Sequence, residues 1–195
     1  GLRGNTIVIF MSDNGHSEET VNRIRVDNHK SGYPKNHFYG ASGGGATGRW
    51  IGQKGSFLEG GIRVPAIISY PAKLPQGKVR AQVITAMDWF PTVLDLCDVK
   101  QPAGSPKIDG YSLRSIIEEQ SATSEYKTLH FAWGTKWAVR SGDWKLIGNT
   151  RNPRVTLHNL ADPKPEEKDH AKEKPRVVAR LRSLHEEWAG EVARK

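Results

Sequence analysis

The apolar run Ile7-Val8-Ile9-Phe10-Met11 ends abruptly at Ser12-Asp13-Asn14-Gly15-His16. A continuous β-branched and aromatic run bounded by turn residues predicts a buried strand, in a parallel sheet covered on both faces. Ligands of open α/β sheets bind beyond the carboxyl ends of strands, so the run would deliver Asp13 and Asn14 to such an edge with their oxygens presented. Carboxylate and amide oxygens side by side suit a hard cation such as Ca²⁺ or Mg²⁺. The same residues also spell a tight Asn-Gly turn in which Asp13 bonds its own backbone. Taken alone, the stretch leaves both readings open.

A long polar and glycine-rich region follows, from His16 to Gly61, and it carries three of the seven histidines, His16, His29 and His37. A loop of that length inside a domain is usually functional or disordered. Backbone amides at Gly43–Gly45 could cradle an anion, but no Walker lysine-serine pair follows, so a nucleotide loop is excluded. The segment Gly52-Gln53-Lys54-Gly55-Ser56-Phe57-Leu58-Glu59-Gly60-Gly61-Ile62-Arg63 then sets a lysine, a glutamate and an arginine between closely spaced glycines. Glycines permit close backbone approach to a ligand or another segment and fix where charged neighbours point.

A second buried strand is predicted at 66–70, ended by Pro71 and Pro75. Residues 85–96 predict a helix with Met87, Phe90, Val93 and Leu94 on its apolar face. Asp109-Gly110 turns into a short helix through Ile117. From Thr128 onward, short strand-like runs at 129–133, 137–140, 144–147 and 155–159 alternate with turn residues, the pattern of an antiparallel meander. Pro175 opens a helix whose stripe Val178, Leu181, Leu184 and Trp188 is suited to pack on that meander. The expected division is 1–123, an α/β domain, and 124–195, an antiparallel-sheet subdomain with a terminal helix.

With 195 residues the chain makes one sizeable domain, or a domain with an appendage. Mean hydropathy is −0.60, and no apolar run approaches the roughly 20 residues of a membrane span. The net charge of +8 favours an anionic partner. Nucleic acid is excluded by the lack of an arginine-rich arm or a stacked aromatic pattern. Cys97 is the single cysteine, which rules out an internal disulfide or a multi-cysteine zinc site and predicts a buried packing thiol. A chain that opens without Met and runs almost at once into a core strand reads as the continuation of a longer one.

In order, SDNGH after a strand, GQKGSFLEGGIRVP, TAMDWFPTVLDL and KIDGYSL resemble the sulfatase family, specifically the arylsulfatase and N-acetylgalactosamine-6-sulfatase type. WAVRSGDWKLI and LHNLADPKPEEKDHAKEKP are similar to that family's C-terminal subdomain. The resemblance implies the C-terminal part of an alkaline-phosphatase-like (sulfatase) α/β sandwich, followed by a small antiparallel sheet packed with a C-terminal helix. It places Asp13 and Asn14 on the metal-ligand pair for Ca²⁺, and Lys54 on the lysine that touches the sulfate. An ammonium there is a compact charge for negative charge developing as the S–O bond breaks. His16 follows the metal pair directly and would reach the substrate. Glu59 and Arg63 would pair and pin the loop presenting Lys54, while His29 and His37 belong to substrate-facing loops. The substrate would be a sulfated carbohydrate or aryl sulfate, and the family is often exported or lysosomal.

Two departures qualify the resemblance. Sulfatases use a formylglycine made from Cys or Ser in C/S-x-P/A-x-R as a covalent nucleophile, and the context Cys97-Asp98-Val99-Lys100-Gln101 has neither the Pro nor the Arg. The two upstream aspartate ligands are missing as well, so the Ca²⁺ site is incomplete and this chain alone should be inactive. The missing N-terminal half is therefore an expected partner. Two rival readings remain: a related phosphoryl or phosphonate hydrolase, and a non-catalytic module that binds anionic glycans through its basic surface.

Overall fold

The computed structural model describes residues 1–16, 23–25, 38–40 and 47–193. His29, His37 and the glycines at 43–45 lie outside the described residues. In chain order the first elements are β1 (Val8–Met11), the short antiparallel pair β2 (Arg23–Arg25) and β3 (Phe38–Gly40), α1 (Glu59–Ile62) and β4 (Ala66–Ser69). Both long apolar runs thus form strands where expected. They pair with each other, however, and in antiparallel register, with Val8 opposite Ser69 and Phe10 opposite Ile67. The expectation of a parallel pairing is corrected; within this chain Phe10 is 60% and Ile67 61% exposed. The cause lies in the connection. The Ser12 N–H donates to the Pro65 carbonyl at 3.3 Å, so β4 starts beside the point where β1 ends and must run back along it.

Two compact units emerge from the packing, Gly1–Met11 with Ala66–Lys127, and Ser12–Pro65 with Thr128–Lys195. This grouping differs from a division at residue 123, because residues 12–65 join the C-terminal segment.

In the first unit, α2 (Trp89–Leu96) follows a 3-10 turn at Ala86–Asp88. Thr85 and Asp88 form a capping box, with the Thr85 N–H donating to Asp88 Oδ2 at 2.6 Å. Of the apolar face expected, Val93 and Leu94 are half-buried while Met87 and Phe90 are exposed. Asp88, Thr92 and Leu96 face inward. The polar pair can be buried because it is saturated: Asp88 Oδ1 accepts from the Tyr111 N–H and the Tyr126 hydroxyl, and Thr92 Oγ1 accepts from the Leu113 N–H and donates to the Asp88 carbonyl. Burial, with the Asp88 carboxylate adding to it, pushes the Tyr126 phenol well above its usual range. Leu96 joins Tyr70 and Leu74 in a small core, beside α3 (Arg114–Glu118) through Ile117. Cys97 is exposed rather than buried, because α2 ends at Leu96 and leaves the thiol past the helix end.

The second unit holds the predicted meander: β5 (Leu129–Trp133), β6 (Lys136–Ser141), β7 (Trp144–Asn149) and β8 (Asn152–Asn159), antiparallel in that order. The final helix, α4 (Pro175–Val192), carries Pro at its start. Its Leu181 is fully buried against Trp137, Val139, Leu146 and Leu157, with Val178 and Leu184 packed around them. The helical stripe therefore covers the meander as its spacing implied.

Candidate active site

The Asp13-Asn14 turn and the glycine-rich lysine loop meet through backbone hydrogen bonds. The Gly15 N–H donates to the Gly61 carbonyl at 2.9 Å, and the Lys54 N–H donates to the His16 carbonyl at 2.9 Å. Ser12 Oγ closes the turn by donating to the Asn14 carbonyl at 2.8 Å. Such close approach explains the glycines. A methyl on Gly15 would stand 1.8 Å from the Gly60 carbonyl oxygen, one on Gly60 would stand 2.4 Å from the Gly52 oxygen, and one on Gly61 would stand 2.4 Å from the Gln53 oxygen. Gly52 and Gly55 also adopt positive φ, of 91° and 84°, which side chains rarely accept.

All four candidate residues therefore belong to one backbone-locked patch. Asp13 and Lys54 are exposed, while Asn14 and His16 are half-buried. Asp13 and Asn14 offer the oxygen donors a hard cation takes. Two residues are fewer than the ~6–8 oxygens Ca²⁺ requires, and among the described residues no group of three His, Cys, Asp or Glu is arranged to hold a metal ion. They fit part of a cation site, whose other ligands must come from elsewhere.

Behind the patch, Glu59 pairs with Arg63 at 3.5 Å, as its spacing implied. Arg63 also lies over the Trp50 ring, 4.3 Å from its centroid. The closer partner was not anticipated. Lys145 Nζ, fully buried in β7, donates to Glu59 Oε1 and to Glu166 Oε1, both at 2.8 Å. The sequence signal was slight, a lone lysine in the apolar run Trp144-Lys145-Leu146-Ile147. Between this loop and the sheet lies a cavity of ≈ 370 Å³, lined by Ser56, Phe57, Lys136, Thr156 and His158 among others. Burial holds the His158 imidazole below its ordinary pKa, opposed by the Lys168 carbonyl 3.0 Å from Nδ1.

The profile of the family described as Sulfatase matches residues 1–99. Mouse steryl-sulfatase is 33% identical over 158 residues, 78% of this chain and 23% of that protein. Pig N-acetylgalactosamine-6-sulfatase is 31% identical over 144 residues, 74% of this chain and 24% of that protein. A solved Bacteroides thetaiotaomicron structure, described by its role in the metabolism of multiple glycosaminoglycans, superposes with a TM-score of 0.65 at 25% identity, covering 94% of this chain and 38% of that one. The chain thus spans about a quarter of the length of these two relatives. With half its length matched by the family profile and the motif-bearing turns locked together in the fold, the chain belongs to the sulfatase family.

Proposed function

We propose that this chain contributes the sulfate-binding side of a sulfuric ester hydrolase acting on sulfated sugars. The observation that carries the reading is the backbone lock between the two signature segments, Lys54 N–H to the His16 carbonyl and Gly15 N–H to the Gly61 carbonyl. It makes a charged lysine, an imidazole and two oxygen donors parts of one rigid patch. In this reading the Lys54 ammonium lies against the sulfate and offsets negative charge as the bond between sulfur and the sugar oxygen breaks. His16, whose carbonyl accepts the Lys54 N–H, would pass a proton to the departing oxygen. Asp13 and Asn14 supply part of the shell of a Ca²⁺ ion. When bound, that ion would draw charge from the sulfate oxygens, and a formylglycine from the remainder of the protein would supply the nucleophile. The sugar class follows from the N-acetylgalactosamine-6-sulfatase relative.

The test is release of inorganic sulfate from sulfated N-acetylgalactosamine by the protein that carries this chain at full length. Lys54→Ala should lower kcat by about 10²–10³, the usual loss for one positioned donor to a developing anion. Equal sulfate release by parent and variant would refute the role of Lys54. Salt-sensitive retention on a sulfated glycan without any sulfate release would support the glycan-binding alternative, for which the +8 charge speaks.

A further inference from the structure

The residues that set the Lys54 loop in place extend well beyond the loop itself. Lys145 and Glu166 have fully buried side chains, and that of Glu59 is 3% exposed. Lys145 Nζ bridges the two carboxylates at 2.8 Å each. The second oxygen of Glu166 accepts the Glu59 backbone N–H at 2.8 Å, at the first residue of α1. The remaining Glu59 oxygen lies 3.5 Å from Arg63 and 3.7 Å from Arg140, so two buried anions face one buried ammonium, one largely buried guanidinium and one half-exposed guanidinium. Glu166 holds this position with φ of 69°, a left-handed conformation that a side-chain-bearing residue keeps only when its surroundings demand it. Lys145 belongs to β7 and Glu166 follows β8, both outside the residues matched by the family profile.

We propose that Lys145 and Glu166 are positioning residues: a buried ionic latch by which the C-terminal sheet holds α1, and through Gly60 and Gly61 sets the height of the Lys54 loop against the His16 turn. The path is continuous. Glu59 is clamped by Lys145 and Glu166, Gly60 N–H donates to the Ile51 carbonyl at 2.8 Å, and Gly61 accepts the Gly15 N–H. The relevance to catalysis rests on reading Lys54 as the sulfate-binding lysine; the latch itself does not.

Amide hydrogen exchange of this chain tests it, read at Lys54, Gly60 and Gly61 with the amides of β6 and β7 as internal reference. Lys145→Met leaves two buried carboxylates without their shared cation. At pH 8 the loop amides should lose about a hundredfold in protection, the scale of breaking a buried ion pair. Added acid can supply one proton shared between Glu166 and Glu59 in place of the ammonium, so protection should return on acidification. The double variant Lys145→Met/Glu166→Gln should keep protection at every pH. Its amide can donate to Glu59 while its carbonyl accepts the Glu59 N–H.

A loss shared equally by β6 and β7, no loss at the loop, or a double variant no better protected than the single would each overturn the latch. If Lys145→Met does not fold, the double variant decides alone: loop protection near the parent's supports the proposal, and loss confined to the loop refutes it. Lys54→Ala should leave Gly60 and Gly61 as protected as in the parent. Failure of the sulfate reading, seen in sulfate release, is then separable from failure of the latch.

Discussion

Gly15→Ala probes the backbone lock most directly. A β-carbon at Gly15 would stand 1.8 Å from the Gly60 oxygen, 2.7 Å from the Gly60 carbonyl carbon and 2.9 Å from the Gly61 Cα, all of them backbone atoms that cannot rotate away. Ordinary contact begins at 3.4 Å, so the turn has to retreat by about 1.6 Å, the gap between 1.8 and 3.4 Å. That distance is enough to break the Gly15-to-Gly61 hydrogen bond and to draw His16 away from the Lys54 N–H. Two lost hydrogen bonds cost about 2 kcal/mol together, and residual overpacking adds about 1–3 kcal/mol. Urea unfolding of this chain, followed by tryptophan fluorescence, should therefore show a loss of about 3–5 kcal/mol from these two terms. Gly4→Ala is the control, since nothing lies within 4 Å of its new methyl. Because a misplacement of about 1 Å can cost about 10²-fold in rate, sulfate release by the full-length protein should fall by a similar factor. A Gly15→Ala protein within about 0.5 kcal/mol of the parent, the range of neutral surface changes, would mean that the turn and the loop are not in contact.

Other outcomes follow from the second unit. His130 stacks on Trp188 with centroids 4.9 Å apart, and His185 stacks on Trp137 at 4.3 Å, with both Nδ1 atoms buried and lacking a hydrogen-bond partner among the described residues. Burial lowers both imidazole pKa values below the ordinary 6.5, and for His130 the neighbouring His185 adds to the effect. The unfolded chain therefore takes up these protons first. Stability should be full above pH 6.5 and fall as acid approaches the lowered folded-state values. Urea midpoints across pH 5–8 check this, and His185→Phe should flatten the slope; an unchanged slope would refute the assignment. Leu181→Ala, at the fully buried centre of the α4 contact, should cost about 2–5 kcal/mol, measured by the same unfolding assay.

The fold was legible where side-chain spacing and packing agree. Val178, Leu181 and Leu184 recur at helical intervals and do cover the meander, whose turns fall at Gly134 and Gly142, both with positive φ. Legibility failed where direction or saturation decided. Nothing in Ile7–Met11 says which way its neighbour runs; that was set by Ser12 meeting Pro65. Asp88 and Thr92 take the buried face of α2 because their hydrogen bonds are complete in place, a property of residues 109–126 rather than of the helix.

The candidate site divides in the same manner. The turn at 12–16 and the loop at 51–63 could be read because each carries its own glycines, and the structure shows what those glycines avoid. Lys145 could not be read, since its partners stand 86 and 21 residues away and a lysine between Trp144 and Leu146 fits an exposed strand face equally well. Only the pairing turns it from a solvated residue into the counter-charge for two buried carboxylates. The family profile ends at residue 99, yet a chain cut there would leave Glu59 without Lys145, Arg140 and Glu166. Glu59 would keep Arg63, a half-exposed partner at 3.5 Å, but would lose both buried groups that hold α1 in place. The C-terminal sheet is for that reason part of what shapes the Lys54 loop.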